Sequence, residues 1–86
     1  MKVEVSLFGA FRDYEPGAAV TLEVSADARV ADLRGALAAH ARAHWPGFRE
    51  GLLMRSAFAS QSCVLGEQER LPESGPVVVL PPVGGG

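Results

Sequence analysis

Apolar and polar residues alternate at the start of the chain. In residues 1–8, every second position from Val3 to Leu7 is apolar and the positions between them are polar, which is the period of a half-buried β-strand. The same alternation returns in residues 19–24, after a polar break at residues 12–17. Two alternating runs across a short break predict an antiparallel hairpin.

The period changes in the next stretch, where apolar residues recur every three or four positions. This spacing, from Val30 through Leu37 and beyond, is that of an amphipathic helix. Pro46 closes the pattern, so we expect a helix over residues 30–44. Its start is weakly signalled, because Arg29 stands where Ser, Thr, Asp or Asn ordinarily caps a helix.

The second half of the chain predicts a short helical turn at residues 48–53 and then three short strands. Two of the strands are expected at residues 57–60 and 62–65, and the third at residues 77–80, where every position is apolar. A strand without alternation is covered on both faces or lies centrally. We therefore place the last strand in the middle of the sheet.

This order of elements predicts an α+β fold of the β-grasp (ubiquitin-like) type, in which one main helix packs across a mixed sheet of about five strands. The first and last strands would be parallel neighbours, so their carboxyl ends would lie at one edge. The residues after the first strand, Phe8, Phe11 and Arg12, would then lie beside the exit of the C-terminal segment and could form a partner surface. For the two phenylalanines, burial in the core is the alternative.

Composition limits the class of protein. A chain of 86 residues holds one domain, which we place at residues 1–80, with a flexible tail at 81–86. A net charge of −2 with scattered basic residues argues against nucleic-acid binding. No apolar run is long enough for a membrane span, and Lys2 and Glu4 interrupt any signal peptide, so we expect a cytoplasmic protein that binds neither nucleic acid nor membrane.

The usual catalytic motifs are missing from the sequence, so the domain is not expected to be catalytic on its own. His40 and His44 are four residues apart on the helix, but no third ligand accompanies them, and we expect no metal. Cys63 is the only cysteine and is interpreted as a small core residue. Trp45 and Phe48 are expected to cover the end of the helix.

The C-terminal segment carries the most specific chemical signal. It reads Leu80, Pro81, Pro82, Val83, Gly84, Gly85 and Gly86. A glycine tail behind two stiff prolines can enter a tunnel too narrow for side chains, and its useful group is the α-carboxylate of Gly86. Activation as an acyl-adenylate would let a sulfur nucleophile convert that carboxylate into a thiocarboxylate. A frayed end or an expression scar is the alternative.

With this tail, the chain resembles the ubiquitin-like sulfur carriers, most closely the small subunit of molybdopterin synthase (MoaD type). The similarity lies in the start, residues 1–12, in Val30-Ala31-Asp32-Leu33 at the helix opening, and in the Pro-Pro-Val-x-Gly-Gly pattern of the tail. The chain departs from the family at Arg29, where Thr or Ser is common, and in the turn before the last strand.

The resemblance implies partners and a reaction. A ubiquitin-activating-like adenylyltransferase would adenylate Gly86 with ATP that it binds itself, and a sulfurtransferase or cysteine desulfurase would supply sulfur. The tail, with Gly85 as second member of its Gly-Gly pair, would insert into the large subunit of molybdopterin synthase in a heterotetramer. There it would pass sulfur to cyclic pyranopterin monophosphate. The small subunit itself would bind no cofactor.

Three alternatives remain open at the level of sequence. Carriers for thiamine, cysteine or tRNA thiolation share the Gly-Gly logic, although the two prolines favour the pterin pathway. A ubiquitin-like protein modifier would use the same tail and the same activation. A binding module with an inert tail would depend on its sheet surface and not on Gly86.

Overall fold

The computed structural model describes residues 1–73 and 75–82. Within these ranges, five strands and two helices follow one another. They are β1 (Lys2–Leu7), β2 (Ala19–Glu23), α1 (Val30–His44), α2 (Glu50–Met54), β3 (Ala57–Ala59), β4 (Val64–Leu65) and β5 (Val77–Leu80). Two 3-10 helical segments, Gly9–Tyr14 and Pro16–Ala18, form the connection between β1 and β2, which we call the β1–β2 loop.

The strands form one mixed sheet in the order β2-β1-β5-β3-β4. β1 and β2 pair as the expected antiparallel hairpin, with Val5 opposite Val20. β5 is central and runs parallel to β1, with Leu7 opposite Val79. The predicted β-grasp topology is confirmed, including the position of its last strand.

The core lies between α1 and one face of the sheet. α1 has the predicted bounds and buries its apolar stripe there. Its fully buried members include Val30, Leu33, Leu37 and Ala41, and the sheet contributes Val5, Leu7, Phe58, Val77 and Val79. Burying an aliphatic or aromatic side chain of this size contributes roughly 1.5–3 kcal/mol, so this layer provides most of the driving force for folding.

The start of α1 is capped by the backbone of a distant loop. The amide of Val30 donates to the carbonyl of Glu69 at 3.0 Å and that of Ala31 to Glu67 at 3.0 Å. These bonds satisfy donors that a helix ordinarily leaves free at its first turn. Arg29 is therefore tolerated at the cap position, where Asp32 also accepts from its backbone amide at 2.9 Å.

Arg34, on α1, joins three parts of the fold. Its Nη1 donates to the carbonyls of Leu53 at 2.6 Å and Ser56 at 2.8 Å, and its other nitrogens bind Glu67. Its guanidinium lies 4.9 Å from the ring centroid of Phe58. Only 11% of the side chain is exposed, so one cation holds α1, α2 and the segment before β5 together.

Three expectations in the second half need correction. The fourth strand begins at Val64 rather than at residue 62, because residues 60–63 form a turn in which the Ser60 amide donates to the Cys63 carbonyl at 2.9 Å. Cys63 is consequently exposed and is not a core residue. The short helix also lies slightly later than predicted, at Glu50–Met54.

Residues 1–73 and 75–82 were searched for a helix that could span a membrane. No helix in these ranges is long and apolar enough to cross a bilayer.

Candidate functional site at the C-terminal edge of the sheet

The parallel pairing of β1 and β5 brings the beginning of the predicted tail beside the β1–β2 loop. Pro81 follows β5, and Gly9 opens the loop two residues after β1. An ideal Cβ built on Gly9 would lie 2.7 Å from Cγ of Pro81. Gly9 also has a positive φ of 57°. The structure thus places Gly9 beside the beginning of the tail, a residue that is not among the three predicted there.

The face of the sheet turned away from α1 is divided into a polar end and an apolar end. The polar end is formed by residues such as Lys2, Glu4 and Glu23, at the start of β1 and the end of β2. The apolar end lies where the chain leaves β5. We call it the apolar patch, and its members are Phe8, Ala57, Val64, Val78 and Leu80.

Register explains why the four strand members of the patch share a face, and Phe8 follows the buried Leu7 with an extended backbone (φ −118°, ψ 156°). Val78 lies opposite Ser6 of β1, and Leu80 lies opposite Ala57 of β3, while the positions between them point into the core. Phe8 is 50% exposed and Val64 is 65% exposed. Val78 and Leu80 are half-buried. Central strand β5 is therefore apolar on both faces, yet its outer face is only partly covered.

The predicted partner surface of Phe8, Phe11 and Arg12 is divided by the structure. Phe8 is exposed, but Phe11 is fully buried in the core, because a 3-10 helical turn directs it inward. The prediction that Phe11 belongs to a partner surface is therefore wrong. Arg12 is exposed and shares a shallow concavity with Phe8 and Ala18, so two of the three predicted residues remain together.

A polar cluster fixes the β1–β2 loop to the end of α1. Oε2 of Glu15 accepts a hydrogen bond from Nε1 of Trp45 at 2.7 Å and lies 2.7 Å from Nε2 of His40. The hydrogen bond with His40, and next that with Trp45, hold the pKa of the Glu15 carboxyl below its usual range, although burial opposes them. The ring of Tyr14 stacks on Trp45 with centroids 4.9 Å apart.

The two helix histidines are accounted for by this cluster. His40 is half-buried against Glu15, and His44 is exposed with its ring 4.6 Å from that of His40. Within the described ranges, no group of three His, Cys, Asp or Glu side chains is arranged to hold a metal. Trp45 is 3% exposed, which confirms that it covers the end of the helix.

The predicted tail residues are only partly described. Pro81 and Pro82 are half-buried at the edge of the sheet. Val83, Gly84, Gly85 and Gly86 lie outside the described residues. Sequence reasoning missed the role of Gly9, and a glycine directly after a strand was the available signal. It also missed Glu15, whose partners lie on another element and leave no local pattern.

The architecture is shared with a solved structure. The crystal structure of SAMP1 from Haloferax volcanii matches with a TM-score of 0.72, covering 100% of both chains at 22% sequence identity. This likeness agrees with a ubiquitin-like β-grasp fold, with a five-strand mixed sheet and a helix packed across it. No protein-family model matches the chain, and no curated protein matches it.

Proposed function

We propose that this protein is a ubiquitin-like sulfur carrier whose reactive group is the carboxylate of Gly86. The observation that carries the proposal is the edge of the sheet at which β5 ends. There the chain enters Pro81 and Pro82 beside an exposed apolar patch, and a glycine sequence follows. A partner that docks on the patch therefore meets the base of a glycine-rich segment.

The reaction has two stages at the Gly86 carboxyl group, adenylation and sulfur transfer. A carboxylate oxygen attacks the α-phosphorus of ATP, which forms an acyl-adenylate and releases pyrophosphate. A sulfur nucleophile then attacks the acyl carbon, and AMP leaves with one of the carboxyl oxygens. A reductant finally cleaves the bond between that sulfur and its donor, which leaves the thiocarboxylate. Adenylyltransferase and sulfur donor supply the catalytic groups, and the small protein supplies its docking surface and the carboxylate.

The acceptor we propose is cyclic pyranopterin monophosphate, in the large subunit of molybdopterin synthase. Support comes from the resemblance of the tail to the Pro-Pro-Val-x-Gly-Gly pattern of the small subunit. In this proposal two thiocarboxylates deliver the two sulfurs of the dithiolene, and each delivery returns the Gly86 carboxylate. Carriers for thiamine, cysteine or tRNA thiolation would perform the same first two steps with a different acceptor.

A second candidate function is protein modification. The likeness to SAMP1, a ubiquitin-like small archaeal modifier protein, favours it. The acyl-adenylate, or a thioester formed from it, would then be attacked by a target amine to form an amide bond. The two functions share the first step and differ in the nucleophile that follows it.

The experiment incubates the full chain with ATP, a candidate activating enzyme and a sulfur source, and measures intact mass. Exchange of one oxygen for sulfur, abolished by deletion of Gly86, is the expected result. Amide-linked adducts on lysines of other proteins, without sulfur exchange, would support the modifier. An unchanged mass with an enzyme that releases pyrophosphate on another carrier would support a binding module with an inert tail.

Exposed Cys63 requires its own control, because a sulfur donor can also place sulfur on a thiol. A persulfide adds a whole sulfur atom and is removed by dithiothreitol, whereas a thiocarboxylate exchanges an oxygen. The Cys63→Ser variant should therefore retain the full exchange. A gain of a whole sulfur atom that dithiothreitol removes, and that is lost in Cys63→Ser, would instead place the sulfur on Cys63.

The apolar patch is tested with a matched pair of substitutions. Phe8 and Met54 are exposed to similar extents, 50% and 54%, but Met54 lies on α2. Phe8→Ala should weaken binding to the activating enzyme by about tenfold or more, as expected for an aromatic anchor at an interface, and Met54→Ala should leave it unchanged. Equal effects of the two substitutions would place the docking surface elsewhere.

A further inference from the structure

We propose that Gly9 is a positioning residue that sets the direction in which the C-terminal segment leaves the sheet. Its role in delivering Gly86 rests on the proposed function, but the geometric inference does not. The Cα of Gly9 occupies the space beside Pro81, where a Cβ would lie 2.7 Å from the ring Cγ. Carbon atoms pack at about 3.5–4.0 Å, so any side chain at this position forces the Pro81 ring or one of the two segments to move.

The β1–β2 loop is the less able of the two segments to move. Phe11, two residues after Gly9, is fully buried in the core. Further along, Tyr14 stacks on Trp45 and Glu15 accepts the Trp45 indole hydrogen bond. The loop is therefore fixed both near Gly9 and at its far end, whereas Pro81 stands after the last ladder residue of β5. We infer that a side chain at position 9 would displace Pro81 and redirect the residues after it.

Backbone conformation alone does not explain glycine at position 9. Its φ of 57° lies in the left-handed region, where a Cβ is disfavoured by about 1 kcal/mol. Ala18, in the same loop, adopts a φ of 54° with its Cβ present. The loop can thus accommodate the strain of a non-glycine residue in this region. What distinguishes Gly9 is its contact with Pro81.

Gly17 is a matched control in the same loop. Its φ is 78°, and an ideal Cβ built on it meets nothing within 4 Å. Gly17→Ala therefore introduces similar backbone strain without a collision. Gly9→Ala and Gly17→Ala should both lower the melting temperature by a few degrees, since each loses about 1 kcal/mol to strain, but only Gly9→Ala should redirect the tail.

The test measures the tail directly and needs no enzyme. Nitroxide labels are attached to the native Cys63, which is exposed, and to a Val83→Cys substitution, and pulsed electron paramagnetic resonance gives the distribution of distances between them. Gly9→Ala should shift this distribution and Gly17→Ala should leave it unchanged. In a Pro81→Ala background, which lacks Cγ, the shift caused by Gly9→Ala should disappear.

Equal distributions for the parent, Gly9→Ala and Gly17→Ala would overturn the inference, as would a shift that persists in the Pro81→Ala background. If Gly9→Ala does not fold, Pro81→Ala removes the same contact from the other side and is compared with Pro82→Ala. Greater broadening for Pro81→Ala supports the inference, and equal broadening overturns it. Because these readouts are distances, they stand or fall independently of sulfur exchange at Gly86.

Discussion

The hydrogen bonds of Glu15 with His40 and Trp45 lead to a prediction that links the stability of the fold to pH. The substitution is Glu15→Gln, which keeps the size of the side chain and removes its charge. One carboxylate oxygen accepts from Trp45 Nε1 and faces His40 Nε2, each at 2.7 Å, and the Glu15 side chain is only 20% exposed. Hydrogen bonds to a charged group contribute about 1.5–3 kcal/mol.

Glutamine retains one acceptor oxygen for the indole, so the loss should be smaller than the full value. We expect the free energy of unfolding to fall by about 1–2 kcal/mol at pH 7, which lowers the melting temperature of a domain of this size by about 5–15 °C. The pKa of Glu15 is lowered in the folded state, first by the hydrogen bond with His40. Its contribution is therefore present above the unfolded-state pKa and is lost as the pH falls through the folded-state pKa.

Thermal unfolding of both proteins, followed by circular dichroism from pH 7 to pH 2, measures this difference. The difference between the two melting temperatures should begin to shrink near pH 4.3, the ordinary pKa of a glutamate, and should vanish below the lower folded-state pKa. Glu50→Gln is the control, because the Glu50–Arg42 ion pair is about half exposed on both sides and such pairs contribute about 0–1 kcal/mol. The reasoning is refuted if the Glu15→Gln difference is unchanged at low pH, or is no larger than that of Glu50→Gln.

Two further predictions concern single side chains. Arg34→Lys should lower the free energy of unfolding by about 2–3 kcal/mol, because one ammonium cannot reach both the carbonyls of Leu53 and Ser56 and the carboxylate of Glu67. Urea denaturation measures this loss, with the exposed Arg42→Lys as the control. A loss below about 0.5 kcal/mol for Arg34→Lys, as expected for the control, would contradict the prediction. Cys63 should react with a thiol reagent at the same rate in folded and urea-unfolded protein, because it is exposed; strong protection in the folded state would contradict its position in the turn.

The main elements and their order could be predicted because β1, β2, α1 and β5 each leave a hydrophobic pattern in the sequence. Alternation identified β1 and β2, and three- and four-residue spacing identified α1 over Val30–His44. The uninterrupted apolar run at Val77–Leu80 indicated a central strand. In each case the signal is the face that the element buries, which is a property of residues close together in sequence.

The details of the candidate site could not be predicted in the same way, because they depend on which way a short irregular segment turns. Phe8 and Phe11 are equally apolar and three residues apart, yet the first is exposed and the second is buried. Cys63 is exposed because a turn replaces the first residues of the expected strand. Arg29 caps α1 without a suitable side chain, because carbonyls from Glu67 and Glu69 reach the helix start across the fold.

The position of the candidate site nevertheless results from the topology. A parallel pair of strands ends at one edge of the sheet, so a chain that leaves β5 must begin beside the residues that come after β1. In this protein that neighbour is Gly9, and the exposed Phe8 precedes it. The two anchors of the β1–β2 loop are Phe11, which is buried in the core, and Glu15, which is hydrogen-bonded to Trp45 at the end of α1. They therefore affect a segment to which they are not bonded. A partner that binds Phe8 would therefore contact a surface whose orientation relative to Pro81 is fixed by these two anchors.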